Sequence, residues 1–309
     1  MKIPSKVYPY RLPYMGSKQN IAYSLMLAII QKKPKAKYFF DIFGGGASMS
    51  LMAKQFGLNV FYTEKNAGIV NLLNFLKDNR IPKEWIRWIS RDEFKQCLGK
   101  DDPFSVFVTI CWSFGNNRQA YLFGKDIEEL KRLAFEVIVN GDFSCLSELK
   151  EKTGLKLTMP NQKSINERRL SFSQQIKKNK DLKAGVQSLT QIETLSRLAV
   201  CESLQQLEYL QQLEYLNGLD LPYDEVIIYC DPPYRGTAEY TDGGFNYKEF
   251  DEWVRKLKYD VFISEYNTPF EKIASFGKLS LLNNSKETKK TLSENLYLHK
   301  AERISNENN

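Results

Sequence analysis

Histidine is almost absent from this sequence. The single one, His299, stands ten residues from the end of the 309-residue chain. Hydrolases with a serine or cysteine nucleophile usually rely on an imidazole base, and zinc is commonly held through imidazole nitrogen. We interpret His299 as a surface residue, so both classes are disfavoured and no metal site is predicted. Any chemistry in this protein is expected to proceed without imidazole.

Paired cysteines and long apolar runs are also missing. The five cysteines form no C-x-x-C pair; they are Cys97, Cys111, Cys145, Cys201 and Cys230. This pattern is typical of reduced thiols in a cytoplasmic protein. The apolar stretch "FSVFVTICWSF" at 104–114 is too short for a membrane helix. Because the first residues, "MKIPSKVYPYRLPY", have prolines where a signal peptide needs an apolar core, we expect a cytoplasmic protein without membrane association.

Positive charge is concentrated in one part of the chain. The net charge is +7, from 44 Lys and Arg against 37 Asp and Glu. Residues 150–200 contain eleven basic and four acidic side chains, so this stretch accounts for the whole excess. Such a stretch favours a polyanionic partner, with nucleic acid first. A solvated basic surface is the alternative that charge alone leaves open.

Strand and helix patterns recur at both ends of the chain. "KYFFDIFGGG" (37–46) and "NVFYTE" (59–64) read as strands, each followed by a helical pattern, which is the order of a βαβ unit. Two further strands are predicted at "EVIIYCD" (225–231) and "DVFISEY" (260–266). We therefore predict an α/β fold with a Rossmann-like sheet. Its two parts, 1–80 and 219–309, flank an inserted, mainly helical region, 81–218.

A hexapeptide, "LQQLEY", occurs at 204–209 and again at 210–215. Its leucines recur every third residue, which drifts around a helix of 3.6 residues per turn. Apolar periodicity of this kind usually marks a face that packs on a core. We predict a glutamine-rich amphipathic helix that packs on the sheet.

The glycine loop "DIFGGGAS" lies between the first strand and its helix. Glycines let the backbone approach a ligand without interference from Cβ. Glu64 follows Gly44 by twenty residues and ends the next strand, where a Rossmann unit places a carboxylate for ribose hydroxyls. This combination predicts a nucleoside-containing cofactor, with a plain structural turn as the alternative. It is not a phosphate-binding P-loop, because no G-K-[ST] follows the glycines.

The tetrapeptide "DPPY", 231–234, ends a strand and should therefore stand at the carboxyl edge of the sheet. The two prolines fix the backbone and leave nearby carbonyl oxygens free to accept hydrogen bonds. A carboxylate and a fixed carbonyl could together accept both protons of an amino group and stabilise positive charge forming on it. Tyr234 adds a flat face for a nucleobase. A simple turn is the alternative reading of the tetrapeptide.

These motifs together resemble the DNA adenine methyltransferases of the Dam type. In chain order the similar stretches are "YMGSKQNIA" (14–22), "FFDIFGGGASMSL" (39–51), "YTEKNAGIVNLL" (62–73), "SFGNNRQAYLFG" (113–124), "VIIYCDPPY" (226–234), "VFISEYN" (261–267) and "ENLYL" (294–298). The order of cofactor motif, recognition insert and late catalytic motif is that of the family. One departure is Ala47, where the family's glycine pattern has another glycine.

The resemblance implies methyl transfer from S-adenosylmethionine to N6 of adenine in double-stranded DNA, with the target base flipped out of the duplex. The residues implied in the cofactor site are Tyr14, Lys18, Asp41, Phe43, Gly44, Gly45, Gly46, Glu64 and Asp231. Those implied in catalysis are Asp231, Pro232, Pro233 and Tyr234. Tyr240 and Phe245 follow the motif and could close over the base.

The DNA contacts transfer only loosely from the resemblance. Candidate contacts are Asn117, Arg118, Gln119, Arg168 and Arg169, because amide and guanidinium groups read base edges. Implied partners are double-stranded DNA and, in a restriction–modification system, a cognate endonuclease; the expected assembly is a monomer or a weak dimer. The alternatives are methylation of cytosine N4 or of an RNA base, a nicotinamide-dependent oxidoreductase, and a non-catalytic DNA-binding relative.

Overall fold

The computed structural model describes residues 3–4, 12–14, 16–79, 81–158, 164–176, 203–235, 244–277 and 293–302. Within these ranges the chain forms an α/β fold with a mixed seven-stranded sheet and ten α-helices. None of the helices in the described ranges has the length and apolar character needed to cross a lipid bilayer.

The chain divides into two compact units. The first, here called the sheet unit, consists of Met1–Pro9, Lys18–Val70 and Val200–Asn309. The second, the helical unit, consists of Tyr10–Ser17 and Asn71–Ala199. The sheet unit therefore includes the last part of the range 81–218, which the sequence predicts as an insert.

The seven strands of the described ranges lie in the sheet unit. They are β1 Tyr38–Asp41, β2 Asn59–Glu64, β3 Ser203–Gln206, β4 Val226–Cys230, β5 Val261–Glu265, β6 Glu271–Gly277 and β7 Ser293–His299. Their spatial order is β3-β2-β1-β4-β5-β7-β6. Neighbours among β1 to β5 are parallel, whereas β7 is antiparallel to both β5 and β6. The order is compatible with a Rossmann-like fold.

Strands β1 and β4 lie side by side at the point where the strand order reverses. From β1 the chain moves outward through β2 to β3, and from β4 it moves the other way to β5. Open α/β sheets bind ligands at such a switch point, beyond the carboxyl ends of the strands. The register pairs Asp41 with Tyr229, so the loops that follow β1 and β4 leave the same edge of the sheet.

Five of the described helices belong wholly or partly to the sheet unit: α1 Ala22–Lys32, α2 Ser48–Gln55, α3 Ala67–Asp78, α9 Leu213–Gly218 and α10 Tyr247–Arg255. Helix α1 buries Leu25, Met26 and Ile29, whose spacing makes one apolar stripe. Strand β4 is buried along its whole length, as its continuous apolar run predicts for a central parallel strand. The predicted βαβ unit is confirmed, because β1, α2, β2 and α3 occur in the expected order.

The predicted helix over the repeated hexapeptide is wrong. The first copy contributes strand β3, which pairs in parallel with β2 from Phe61 opposite Ser203 to Glu64 opposite Gln206. The second copy forms a 3₁₀ turn, Tyr209–Gln212, and then α9. Two features explain the outcome: the leucine spacing of three does not hold one face of an α-helix, and the edge of β2 offers backbone hydrogen bonds to a strand.

The helical unit contains α4 Arg91–Cys97, α5 Pro103–Cys111, α6 Glu128–Phe135, α7 Cys145–Thr153 and α8 Ile165–Gln175, with a π-helical turn, Glu136–Asn140, directly after α6. Local sequence explains where several of these helices begin. Ser90 accepts a hydrogen bond from the Glu93 N–H at the start of α4, and Asp102 accepts from Ser105 N–H at the start of α5. Side-chain oxygens of this kind satisfy the first N–H groups of a helix.

Candidate active site

The catalytic motif predicted from sequence follows β4. Asp231 comes directly after the buried strand, and Pro232 is itself buried. Asp231 Oδ2 lies 2.6 Å from Lys18 Nζ, and the Lys18 side chain is only 5% exposed. The structure thus brings two of the predicted site residues, more than 200 positions apart in the chain, into a buried ion pair.

A second carboxylate joins this ion pair. Glu294, on β7, is fully buried and its Oε1 lies 3.3 Å from Lys18 Nζ. The Tyr234 hydroxyl donates a hydrogen bond to the same Oε1. Lys18 Nζ also lies 4.7 Å from the centre of the Tyr234 ring, within the range of a cation–π contact. We refer to Lys18, Asp231, Tyr234 and Glu294 as the lysine cluster.

Burial and charge act in opposite directions on the ion pair. Burial raises the pKa of Asp231 to about 6, although the nearby Lys18 ammonium works against this. Burial lowers the pKa of Lys18, but Asp231 and Glu294 outweigh that effect and raise it above its usual value. Asp231 is therefore largely ionised at neutral pH and Lys18 is a cation, so the pair carries opposite charges.

One oxygen of Asp231 has no hydrogen-bond partner among the described residues. This atom, Oδ1, is buried, while Oδ2 is held by Lys18. A buried acceptor without a donor is costly, and native proteins rarely leave one unpaired without a functional reason. The chemistry of the oxygen fits a ligand that offers an N–H or O–H donor.

The loop that carries Tyr234 is held to the end of β5 by Glu265. The buried Glu265 carboxylate accepts hydrogen bonds from the backbone N–H groups of Arg235 and Tyr266, and from Asn267 N–H at 3.1 Å. The Tyr234 ring meets the Tyr266 ring edge to face, with centroids 4.6 Å apart. These contacts restrict the position of the ring that was predicted to stack on a base.

Neither Glu265 nor Glu294 was identified as a site residue from the sequence. Glu265 does carry a usable signal, since it ends an apolar strand just as Asp231 follows one. Glu294 stands near the start of its strand, and its importance depends on β7 lying antiparallel beside β5. No local sequence pattern predicts that arrangement.

The glycine loop is tied to the end of β2 through Glu64. Its Oε2 accepts from Gly45 N–H and its Oε1 from Asn66 N–H, both at 3.0 Å. Burial raises the pKa of Glu64, while these backbone hydrogen bonds lower it. A carboxylate has about four acceptor positions. Glu64 is half-buried, so its carboxylate can accept further hydrogen bonds from a ligand.

Gly44 packs directly against the ring of Tyr62. A Cβ atom at position 44 would lie 2.1 Å from Tyr62 Cε2, far inside contact distance. The Tyr62 hydroxyl in turn donates to the Gly45 carbonyl oxygen at 2.7 Å. Only glycine can bring the backbone this close to the ring, so the loop's conformation depends on Gly44.

Ala47, the departure from the family's glycine pattern, adopts a left-handed conformation. Its φ is 59° and its ψ is 22°, and it directly precedes α2. Residues other than glycine pay a steric cost in this region. The backbone at position 47 therefore keeps the geometry that glycine would favour, although the residue is alanine.

Asp41, at the end of β1, holds the start of α2. Its Oδ2 accepts from Ser50 N–H at 3.1 Å and from Ser50 Oγ at 2.6 Å. Burial raises the pKa of Asp41 to about 7, against the effect of the Ser50 hydrogen bonds. The charges of Asp231 and Glu64 raise it further, which links this residue electrostatically to both halves of the site.

Phe43 belongs to a group of aromatic rings beside the glycine loop. Its ring centroid lies 5.4 Å from that of Tyr209, 5.8 Å from Phe245 and 5.7 Å from Phe250. Phe245 was predicted to close over a target base, and in this structure it packs within this aromatic group. Tyr240, the other residue of that prediction, lies outside the described residues.

The remaining predicted site residues lie in the helical unit. Tyr14 accepts a backbone hydrogen bond from Ser17 in a turn of the chain. The Asn117 side chain accepts from Gln119 N–H at 2.9 Å, and Arg118 Nε donates to Thr109 Oγ1 at 3.3 Å. Gln119 is exposed. These contacts stabilise the conformation of the loop that was predicted to contact DNA.

Arg168 has a structural partner within the helical unit. Its guanidinium donates to the carbonyl oxygens of Ile138 at 2.6 Å and Val139 at 2.9 Å, both in the π-helical turn. Arg169, the next residue, is half-buried. Their predicted contacts with DNA stay predictions.

Within the sheet unit, then, the structure brings Lys18, Asp231 and Tyr234 together at the end of β4, and places the glycine loop and Glu64 at the ends of β1 and β2. Asp41 is coupled to both sets. No protein-family model and no curated protein sequence matches this chain.

Proposed function

We propose that this protein is a DNA methyltransferase that transfers a methyl group from S-adenosylmethionine to N6 of adenine in double-stranded DNA. The observation that carries the proposal is the Asp231 carboxylate, of which one oxygen is held by Lys18 and the other is buried with no hydrogen-bond partner in the described part of the chain. An exocyclic amine is a donor that satisfies the second oxygen. The resemblance of the motifs to the Dam-type enzymes supports the same assignment.

Asp231 acts by orienting the target amine. Its Oδ1 accepts one N–H, and the carbonyl of Pro232, held by the rigid proline pair, accepts the other. Positive charge that forms on the amine nitrogen is then stabilised by a negative charge already in position, which is an efficient form of catalysis. No imidazole base is required, because the amine can lose its proton after transfer.

Lys18 and Tyr234 support Asp231 in different ways. Lys18 keeps the carboxylate ionised near neutral pH against the effect of burial. Tyr234 offers an aromatic face to a base flipped out of the duplex, and its hydroxyl anchors the ring to Glu294. Water exclusion in this buried cluster strengthens each electrostatic contact.

The residues of the sheet unit that would hold the cofactor are Glu64, the glycine loop 43–46 and Lys18. Glu64 retains acceptor capacity for ribose hydroxyls, and the loop packs closely enough on Tyr62 that only a glycine fits at position 44. When bound, S-adenosylmethionine supplies an electrophilic methyl group on its sulfonium. The residues present fit a nucleoside with hydroxyl donors.

A labelled-methyl transfer assay on unmethylated DNA tests the proposal. We expect incorporation by the wild type and a loss of about 10²–10³-fold or more in Asp231→Asn, which keeps the shape but removes the charge. Asp260→Asn is the matched control. Asp260 is also a mostly buried carboxylate paired with a lysine, 2.9 Å from Lys33, but it precedes β5 and lies at the opposite edge of the sheet.

Folding of each variant is checked by circular dichroism before the assay. Folded wild-type protein that transfers no methyl group to DNA of varied sequence would refute the proposal. So would an Asp231→Asn variant as active as Asp260→Asn. Identification of the modified nucleoside separates N6 of adenine from N4 of cytosine and from an RNA base, and calorimetry with S-adenosylmethionine and with NAD tests the oxidoreductase alternative.

A further inference from the structure

Glu294 is a buried carboxylate that the proposed reaction does not by itself require. It is the second residue of β7, opposite Phe276 of β6, and its side chain is fully buried. A carboxylate is expensive to bury unless charged or hydrogen-bonding partners compensate it. The identity of those partners therefore indicates what the residue does.

Two partners of Glu294 are Tyr234 of the catalytic motif and Lys18. Its Oε1 accepts a hydrogen bond from the Tyr234 hydroxyl and lies 3.3 Å from Lys18 Nζ. Lys18 is thus shared by two carboxylates, with Asp231 the nearer at 2.6 Å. The Tyr234 hydroxyl is held by its hydrogen bond to Glu294, and the Tyr234 ring packs edge to face with Tyr266. Glu294 touches both groups that hold Asp231 and the target base in place.

We propose that Glu294 is a positioning residue for methyl transfer, which holds the Lys18 ammonium and the Tyr234 ring in place and tunes the charge of Asp231. This inference rests on the proposed function. Glu294 acts through its neighbours, since Asp231 and Tyr234 are the side chains expected to meet the target amine and base. Its role has two separable parts, geometry and charge.

The charge of Glu294 affects Asp231 directly and through Lys18. A neighbouring negative charge raises the pKa of Asp231, while the Lys18 ammonium lowers it. Glutamine at position 294 keeps the shape but removes the charge, so Lys18 then neutralises Asp231 alone. The pKa of Asp231 should fall. The titratable groups that face Asp231 are Lys18, Asp41, Tyr229, Cys230, Tyr234, Tyr266 and Glu294.

Carboxyl NMR of protein labelled with ¹³C at Asp Cγ measures this shift without substrate or cofactor. The Asp231 resonance is assigned by its absence in Asp231→Asn. We expect its midpoint to move from about 6 in the wild type to a value lower by roughly one unit or more in Glu294→Gln. Asp260→Asn, which removes a buried carboxylate at the opposite edge of the sheet, should leave the midpoint unchanged.

The pH dependence of methyl transfer should follow the NMR result. The acid limb of kcat moves to lower pH in Glu294→Gln, so activity at pH 5.5 relative to its plateau should rise about threefold for a shift of about one unit. The plateau itself should fall by about 10- to 100-fold, because a neutral amide holds the Lys18 ammonium and the Tyr234 hydroxyl less firmly than a carboxylate does. A residue that only stabilised the fold would not move the acid limb.

Glu294→Asp separates geometry from charge and serves if Glu294→Gln does not fold. It keeps the charge but shortens the side chain by one methylene. We expect a lowered plateau with an acid limb close to that of the wild type. A Glu294→Asp variant with the full wild-type kcat overturns the positioning role.

Failure of this inference and failure of the proposed function give different results. An active wild type whose Asp231 midpoint is the same in Glu294→Gln overturns the role of Glu294 and leaves the methyltransferase proposal intact. A folded wild type that transfers no methyl group overturns the proposed function, and the role of Glu294 in transfer with it. The midpoint shift together with the moved acid limb supports both.

Discussion

Replacing Gly44 by alanine tests how closely the glycine loop packs on β2. The added Cβ would lie 2.1 Å from Cε2 and 2.3 Å from Cδ2 of Tyr62. The ring has little room to move, because Tyr62 is fully buried and its hydroxyl is bound to the Gly45 carbonyl oxygen. Either the ring or the loop must shift, and a shifted loop withdraws Gly45 N–H from Glu64.

The expected cost of Gly44→Ala is that of overpacking a core, about 1–3 kcal/mol. Denaturant unfolding measures it, and thermal unfolding should show a Tm lower by roughly 2–4 °C for each kcal/mol. Gly218→Ala is the matched control. A Cβ at Gly218, the last residue of α9, meets nothing within 4 Å among the described residues. This control should be neutral or slightly stabilised, since alanine restricts the unfolded chain.

A double-mutant cycle identifies the clash itself. Tyr62→Ala removes all the ring atoms that Cβ would contact, so adding Gly44→Ala to this variant should cost clearly less than adding it to the wild type. If Gly44→Ala is as stable as Gly218→Ala, the close packing of the loop on Tyr62 is refuted. If the two substitutions at 44 and 62 are additive, the cost comes from something other than the ring.

Two further predictions concern neighbours of the glycine loop. Ala47→Gly should leave the free energy of unfolding nearly unchanged, because relief of the left-handed alanine offsets the lost methyl group and the greater freedom of the unfolded chain. Ala28→Gly within α1, by contrast, should lower the free energy of unfolding by about 1 kcal/mol. Equal losses in the two variants would contradict the strain at Ala47. Asp41 has a folded pKa of about 7 against an ordinary value of 3.8, so its contribution to stability is fully present below about pH 4 and is lost as pH rises through 7. Asp41→Asn should therefore gain stability relative to the wild type across that range in denaturant unfolding, and a difference independent of pH would exclude the raised pKa.

Short-range patterns predicted the parts of the fold that depend on neighbouring residues. The continuous apolar run before Asp231 marked a buried strand, and the glycine loop between β1 and α2 marked a tight strand-to-helix connection. Such features depend on backbone sterics and on the apolar character of a few consecutive residues, so they are visible in the local sequence. The βαβ unit and the position of Asp231 at a strand end were predictable for this reason.

The partner of each strand and each charge could not be predicted in this way. The first "LQQLEY" copy became strand β3 because the free edge of β2 accepted it, and not through any property of the hexapeptide alone. Glu294 reaches Tyr234 across 60 positions of sequence only because β7 lies antiparallel beside β5.

The sequence by itself thus determined the candidate chemistry: an acid at a strand end, an aromatic beside it and a glycine loop before a helix. Tertiary structure decided which side chains control that acid. Burying Asp231 beside Lys18 and Glu294 sets its pKa and fixes the Tyr234 ring, while Oδ1 has no hydrogen-bond partner among the residues that the structure describes. The physical reason is that desolvation and Coulomb interactions depend on distance through space, which the order of strands in the sheet determines.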